Sequence, residues 1–155
     1  MARSSRTKKT VRSRQPMFED LLYRVRRNVA TITINRPKTL NSLTGATMRE
    51  LVEALDRAGR DTRVGVIVLT GAGDRAFSSG GDVKWEKQGG LARRHVETSP
   101  RAVHEAIRHA GKPVIAAVKG YAIGMGNHLA YSCDLTIAAD NAIFGQNGPR
   151  VGSPA

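Results

Sequence analysis

Val64–Leu69 is an almost unbroken run of apolar, mostly β-branched residues, and Pro113–Val118 is a second apolar run. A strand of this kind has no polar face to offer water, so Val64–Leu69 is expected to be covered on both sides, as in parallel sheets. Parallel neighbours need crossover connections, and the sequence supplies helical patterns between the runs. Met48, Leu51, Val52, Leu55 and Ala58 recur at helical spacing; Thr47 with Glu50 suits a capping box and Gly59 suits the helix end. Ser99-Pro100 opens a second helix, with Val103, Ala106, Ile107 and Ala110 on one face and Gly111 closing it.

Ahead of these lie Leu22–Val25 and Val29–Ile34, two short β-prone runs separated by Arg26-Arg27-Asn28, which predict a hairpin. Asn35-Arg36-Pro37 stops the second strand, because proline cannot continue the ladder. Downstream, Gly120–Gly126 is expected to form a tight turn into a short helix around His128–Ser132, followed by a strand at Leu135–Ala138. The alternation of strands and helices predicts an α/β fold.

Length and composition narrow the function. A chain of 155 residues is the size of one domain, and 40% hydrophobic with 25% charged residues is an ordinary globular balance. No apolar run approaches the roughly 18 residues of a membrane span. The single cysteine, Cys133, cannot close an intramolecular disulfide, which fits a reducing compartment. No Cys/His cluster has zinc spacing, so no metal site is expected.

The net charge is +12, yet residues 1–16 alone hold six basic residues and no acid. This segment lacks hydrophobic periodicity and is expected to be a disordered basic extension before a domain spanning 17–155. Three readings of it compete: an upstream extension with Met17 as the effective start, an organelle transit peptide, and a basic arm for an anionic surface. Nucleic-acid binding ranks last, because no aromatic residue interleaves the charges to stack on bases. The expected location is cytoplasmic, or the mitochondrial matrix under the transit-peptide reading.

Thirteen of the sixteen glycines fall between Gly71 and Gly152. Two glycine turns follow strands, Ser78-Ser79-Gly80-Gly81-Asp82 and Gly120-Tyr121-Ala122-Ile123-Gly124-Met125-Gly126. Each can present unpaired backbone N–H groups, and the second opens a helix whose N-terminus adds partial positive charge. Two converging N–H donors are what a developing oxyanion requires. Neither turn is a P-loop, since no Gly-Lys-Ser/Thr follows.

Several ordered motifs carry a resemblance. They are Ile34-Asn35-Arg36-Pro37 with Asn41-Ser42-Leu43; Val66–Gly71; Ala76–Asp82; Lys112–Ala116; Gly120–Gly124; Cys133-Asp134-Leu135; and Phe144-Gly145-Gln146. From Phe18 to Ala155 the chain resembles the crotonase, or enoyl-CoA hydratase/isomerase, superfamily. The resemblance implies a crotonase-like spiral of ββα turns, here with its C-terminal helical part missing. It implies acyl-CoA as substrate, with coenzyme A entering as part of it and no covalent cofactor, and a trimer or hexamer in a full-length form. Gly81 and Met125 are implied as oxyanion donors. The implied lining of the CoA and thioester site comprises Leu40, Ser79, Gly80, Asp82, Val83, Tyr121, Ala122, Ile123 and Gly124, with Lys38 and Lys84 toward the CoA phosphates.

The same resemblance exposes departures. Family hydratases carry glutamates where this chain has His128 and Gly148. The stretch from Phe144 to Ser153 is similar instead to dihydroxynaphthoyl-CoA synthase and 2-ketocyclohexanecarboxyl-CoA hydrolase. In that comparison Gln146, Asn147 and Gly148 match positions that hold bicarbonate as a base, and Ser153 matches a substrate contact. An aspartate of those relatives is replaced by Ala155, and their tyrosine after Gly89-Gly90 by Leu91. His128 is therefore the candidate general acid or base, whereas His95, His104 and His109 are expected to be solvated. Cys133 is expected to pack rather than react. The rival class is an RNA-binding or scaffolding use of the same fold and its basic tail without turnover.

Overall fold

A computed structural model describes residues 18–90 and 99–148. The basic extension 1–16, Leu91, His95 and Ser153 lie outside the described residues. The chain begins with a hairpin, β1 (Leu21–Arg26) antiparallel to β2 (Val29–Ile34). Its two-residue turn places Arg27 and Asn28 at φ of 48° and 63°, the double left-handed geometry that matches the twist of paired strands. After Pro37, a short 3₁₀ turn leads to α1 (Gly45–Arg60).

The chain then repeats a theme. β3 (Val66–Gly71) is followed by β4 (Ala76–Ser78), then α2 (Val83–Trp85) continuing into a π turn at Glu86–Gly90, then α3 (Pro100–Arg108). β5 (Val114–Val118) is followed by β6 (Tyr121–Ile123) and α4 (Met125–Ser132), and β7 (Leu135–Ala138) by β8 (Ile143–Gly145). The first strand of each pair joins a five-stranded sheet ordered β1-β2-β3-β5-β7, in which all pairs after the hairpin are parallel. The second strands form a parallel sheet ordered β4-β6-β8. Each turn of the chain thus adds one strand to each sheet, which is the expected α/β spiral.

The core lies under the larger sheet. Ala30, Ile32 and Ile34 of β2 and Ile67 and Leu69 of β3 are fully buried against Met48, Leu51, Ala54, Leu55 and Ala58 of α1. Val103 and Ile107 of α3 and Val114 and Ala116 of β5 complete it.

Several local expectations need correction. The α1 cap is one turn earlier than Thr47 with Glu50: Thr44 is the N-cap and exchanges hydrogen bonds with Thr47. Glu50 instead accepts from the N–H groups of Glu19 and Asp20, fastening the start of β1 to the helix. Gly59 does not end α1. It lies inside it, where a Cβ would stand 2.6 Å from the Ala110 carbonyl oxygen, so glycine here allows close approach to the α3 end. α3 stops at Arg108, and Gly111 (φ 66°) belongs to the following turn. β3 buries alternate residues, its Val66, Val68 and Thr70 face being only half-covered. The Gly120–Gly126 turn contains a strand, β6, and its helix starts at Met125 rather than near His128. β4 and β8, three residues each, were hidden inside glycine-rich motifs.

Candidate active site

The first glycine turn follows β4 and is sewn along residues 39–43. Ser79 N–H donates to the Leu40 carbonyl (2.9 Å), Leu43 N–H to Gly80 (2.8 Å), and Asp82 N–H to Leu43 (3.0 Å). Gly80 needs φ of 99° to make this path. Because the Gly80–Gly81 peptide is trans and planar, aiming the Gly80 carbonyl at Leu43 turns the Gly81 N–H the opposite way, off the seam.

A polar network holds the seam rigid. Buried Asn41 accepts from Arg36 N–H at 3.0 Å and donates to the carbonyls of Ala72 (3.0 Å) and Ala76 (2.8 Å). The Arg36 guanidinium reaches Asp82 Oδ2 (3.1 Å) and Asp20 Oδ1 (3.3 Å), and Ser42 Oγ donates to Asp82 Oδ2 (3.0 Å). Asp82 Oδ1 caps α2 by accepting from Trp85 N–H (3.2 Å). Burial acts to raise the Asp82 pKa, but the Trp85 N–H, the Ser42 hydroxyl and Arg36 outweigh it and hold the carboxyl below its usual range. Both Asp82 oxygens are thereby engaged, so this residue shapes the turn instead of offering a free carboxylate to a ligand.

The second turn meets the first. Gly124 N–H donates to Gly145 of β8 (2.8 Å), and His128 N–H donates to the Gly124 carbonyl (3.0 Å), starting α4. With that carbonyl directed along the helix, the Met125 N–H projects from the helix N-terminus, where no intrahelical acceptor exists. A Cβ on Gly80 would stand 3.4 Å from Met125 N and 2.8 Å from the Ile123 carbonyl, so the turns abut. The approach depends on Gly126, where a Cβ would stand 2.2 Å from the Ser78 carbonyl oxygen. The Gly81 and Met125 N–H groups, without a hydrogen-bond partner among the described residues, therefore belong to turns that meet where Gly80 approaches Met125.

Around that point, His128 is half-buried on α4. Its Nε2 meets the side-chain amide nitrogen of Gln146. The Tyr131 ring lies 5.2 Å away and the His104 ring 6.2 Å away, centroid to centroid. His104 corrects the expectation of a solvated residue. It is half-buried, its Nε2 is buried and unpartnered among the described residues, and burial, then the neighbouring His128, push its pKa down. His109 is exposed at the α3 C-terminus, as expected.

Of the other expected lining residues, Leu40 and Ser79 meet in the seam, Asn147 Oδ1 lies beside Gly124, and Gly148 is buried. Tyr121, Val83, Lys38, Lys84 and Gln146 are exposed, and neither lysine has an ion-pair partner among the described residues. Ala122 is fully buried, backbone included, so it underlies the second turn and does not line an open surface. Cys133 is buried, donates to the Leu129 carbonyl (3.2 Å), and has its thiol pushed up to about 12 by burial and Asp134. Arg36, Asn41 and Ser42 were visible only as motif letters. Their work in holding the first donor emerges from contacts across some forty residues.

No group of three or more metal-binding side chains, and no helix long and apolar enough to cross a membrane, occurs among the described residues.

A sequence profile described as enoyl-CoA hydratase/isomerase matches residues 24–155. Among solved structures, an enoyl-CoA hydratase from Mycobacterium avium subsp. paratuberculosis K-10 is similar at 33% identity and a TM-score of 0.77, over 89% of this chain and 54% of that one. An enoyl-CoA hydratase/isomerase from Xanthobacter autotrophicus Py2 aligns at 34% identity and 0.77, over 88% and 52%. An enoyl-CoA hydratase/carnithine racemase from Magnetospirillum magneticum aligns at 28% identity and 0.80, over 90% and 53%. The chain thus spans about half the length of these solved relatives.

Proposed function

Because this chain belongs to the enoyl-CoA hydratase/isomerase family, we propose that its two abutting N–H groups hold the thioester oxygen of an acyl-CoA while a proton moves at the adjacent carbon. The observation that carries this reading is the approach of the Gly80 turn to Met125 N, with the Gly81 and Met125 N–H groups both turned out of their own turns. Taking a proton from that carbon drives negative charge onto the thioester oxygen. Fixed donors aimed at the developing charge stabilise it without reorganising, worth on the order of 10²–10³ in rate per donor. The α4 N-terminus adds its partial positive charge at the same place.

His128, one turn into α4, is the acid or base on the Met125 side. Lys38 and Lys84, exposed and without an ion-pair partner among the described residues, suit the CoA phosphates. Ser79 to Val83 and Tyr121 to Met125 form the two walls of the thioester path. The exposed apolar side chains of β7 and β8 support self-association, which the family resemblance expects as a trimer or a pair of trimers.

The test removes a donor without disturbing the fold. Met125 is the first residue of α4, where proline is tolerated, so Met125→Pro deletes the N–H and Met125→Ala retains it. Across a panel of acyl-CoAs, Met125→Pro is expected to lose about 10²–10³ in turnover and Met125→Ala far less. Equal activity in the two variants sinks the oxyanion reading. Gly81→Val is a poorer test, because a Cβ there collides with the Glu86 carboxylate. His128→Ala, assayed with and without bicarbonate, separates a histidine base from an anion held near Gln146.

A further inference from the structure

The proposed acyl-thioester chemistry needs a base, and the chain has no carboxylate at the two positions where its relatives carry glutamate. We infer that Glu86 supplies one: its carboxylate takes the proton from the carbon beside the thioester carbonyl, on the Gly81 side of the site.

The placement follows from local geometry. Asp82 caps α2, and Glu86 N–H donates back to the Asp82 carbonyl at 2.9 Å, which puts Glu86 one full turn into the helical segment. Helical side chains lean toward the N-terminus, so the Glu86 side chain folds back over the residue just before the cap. That residue is Gly81. A Cβ built on Gly81 would stand 2.3 Å from Glu86 Oε1, so the carboxylate occupies the space that the absent side chain leaves. It lies beside the first donor of the oxyanion pair, and the carbon to be deprotonated is only two bonds from the oxygen those donors hold.

Glu86 is half-buried, and its carboxylate has neither a hydrogen bond nor an ion pair with any described residue, unlike that of Asp82 four positions earlier.

The electron count closes. A Glu86 oxygen lone pair takes the proton, the C–H pair becomes the C–C π bond of the enolate, and the carbonyl π pair moves onto oxygen. Glu86 becomes neutral as the oxygen becomes negative, so the charge passes from a group without a donor among the described residues to one held by two. The neutral acid then returns the proton to carbon.

The experiment follows deuterium entry into butanoyl-CoA in heavy water by mass spectrometry, with binding measured separately by calorimetry. With the 155-residue chain, Glu86→Gln is expected to slow exchange by about 10²–10⁴ while leaving the dissociation constant within about threefold, and Glu86→Asp to recover part of the loss. Thermal unfolding of Glu86→Gln should match the parent, since no described contact is removed. Exchange unchanged in Glu86→Gln, or lost only in His128→Ala, overturns the role of Glu86 and leaves the acyl-thioester reading standing. No binding of butanoyl-CoA by the parent chain, with none by the wider acyl-CoA panel, overturns both.

Discussion

Ile67 and Ile137 occupy strands of the same sheet, yet Ile67 is fully buried on β3 and Ile137 is 63% exposed on β7. The sheet from β1 to β5 is closed by α1 and α3, whereas every residue of β7 is exposed. Leu135, Ile143 and Phe144 share that openness. The candidate site straddles the boundary. Its first donor, Gly81, is bolted to the closed region by Asn41, Arg36 and Asp82, while its second belongs to α4, tied through Gly124 to open strand β8. Burial in this molecule measures what the chain covers by itself, and only half of the site rests on such ground.

The contrast can be broken most forcefully at Ile67. Ile67→Ala removes a core side chain between β2 and β5 and should cost about 2–5 kcal/mol in denaturant unfolding. A loss as small as that of a surface substitution contradicts the closed-region assignment. Asn41→Ala comes next: it strands the Arg36 N–H and the Ala72 and Ala76 carbonyls, so a loss of about 1–3 kcal/mol is expected, together with weaker acyl-CoA binding as the first turn loosens. Stability lost without any change in binding separates the seam from the site.

A smaller, pH-dependent effect belongs to His104. Its pKa is lowered by burial, so the folded state resists the proton that the unfolded chain takes up near the ordinary value of 6.5. Its contribution is therefore fully present above that value and declines as pH falls through the depressed one. Unfolding curves should show less acid sensitivity below about pH 6.5 in His104→Gln than in the parent; parallel curves refute the burial argument. The smallest change in stability is expected at Ile137. Ile137→Lys should lie within about 0.5 kcal/mol of the parent yet reduce self-association in sedimentation runs. Stability falling as at Ile67 instead shows that β7 is covered.

The sequence made the larger sheet legible because period and punctuation agree there: Val64–Leu69, Pro113–Val118 and the Arg27-Asn28 turn carry their own local signals. Its second sheet was not legible. Strands of three residues, such as Ala76–Ser78 and Ile143–Gly145, are too short for alternation to register, and glycine obscures their edges. Of the site, the two donor turns were readable from Gly80-Gly81 and Gly124–Gly126. The burial of His104 and the reach of Glu86 were not, because each depends on where a helix packs or leans rather than on the residues beside it. Thr47 with Glu50 misled for a related reason: a better tertiary use for Glu50, holding Glu19 and Asp20, moved the cap to Thr44.

The parallel register has a consequence for how the chain reaches this state. Ala30 pairs with Ile67, Ile67 with Val114, and Ile115 with Leu135, so apart from the opening hairpin each strand must wait for a distant segment to arrive. Closing such loops costs entropy before any contact repays it, which makes folding slow for the chain length. The two donors sit on successive turns of the spiral and become neighbours only after β6 has joined β4. The candidate site is thus a late arrival in folding, and strands such as β3 and β5 stand uncovered, open to aggregation, while it is awaited.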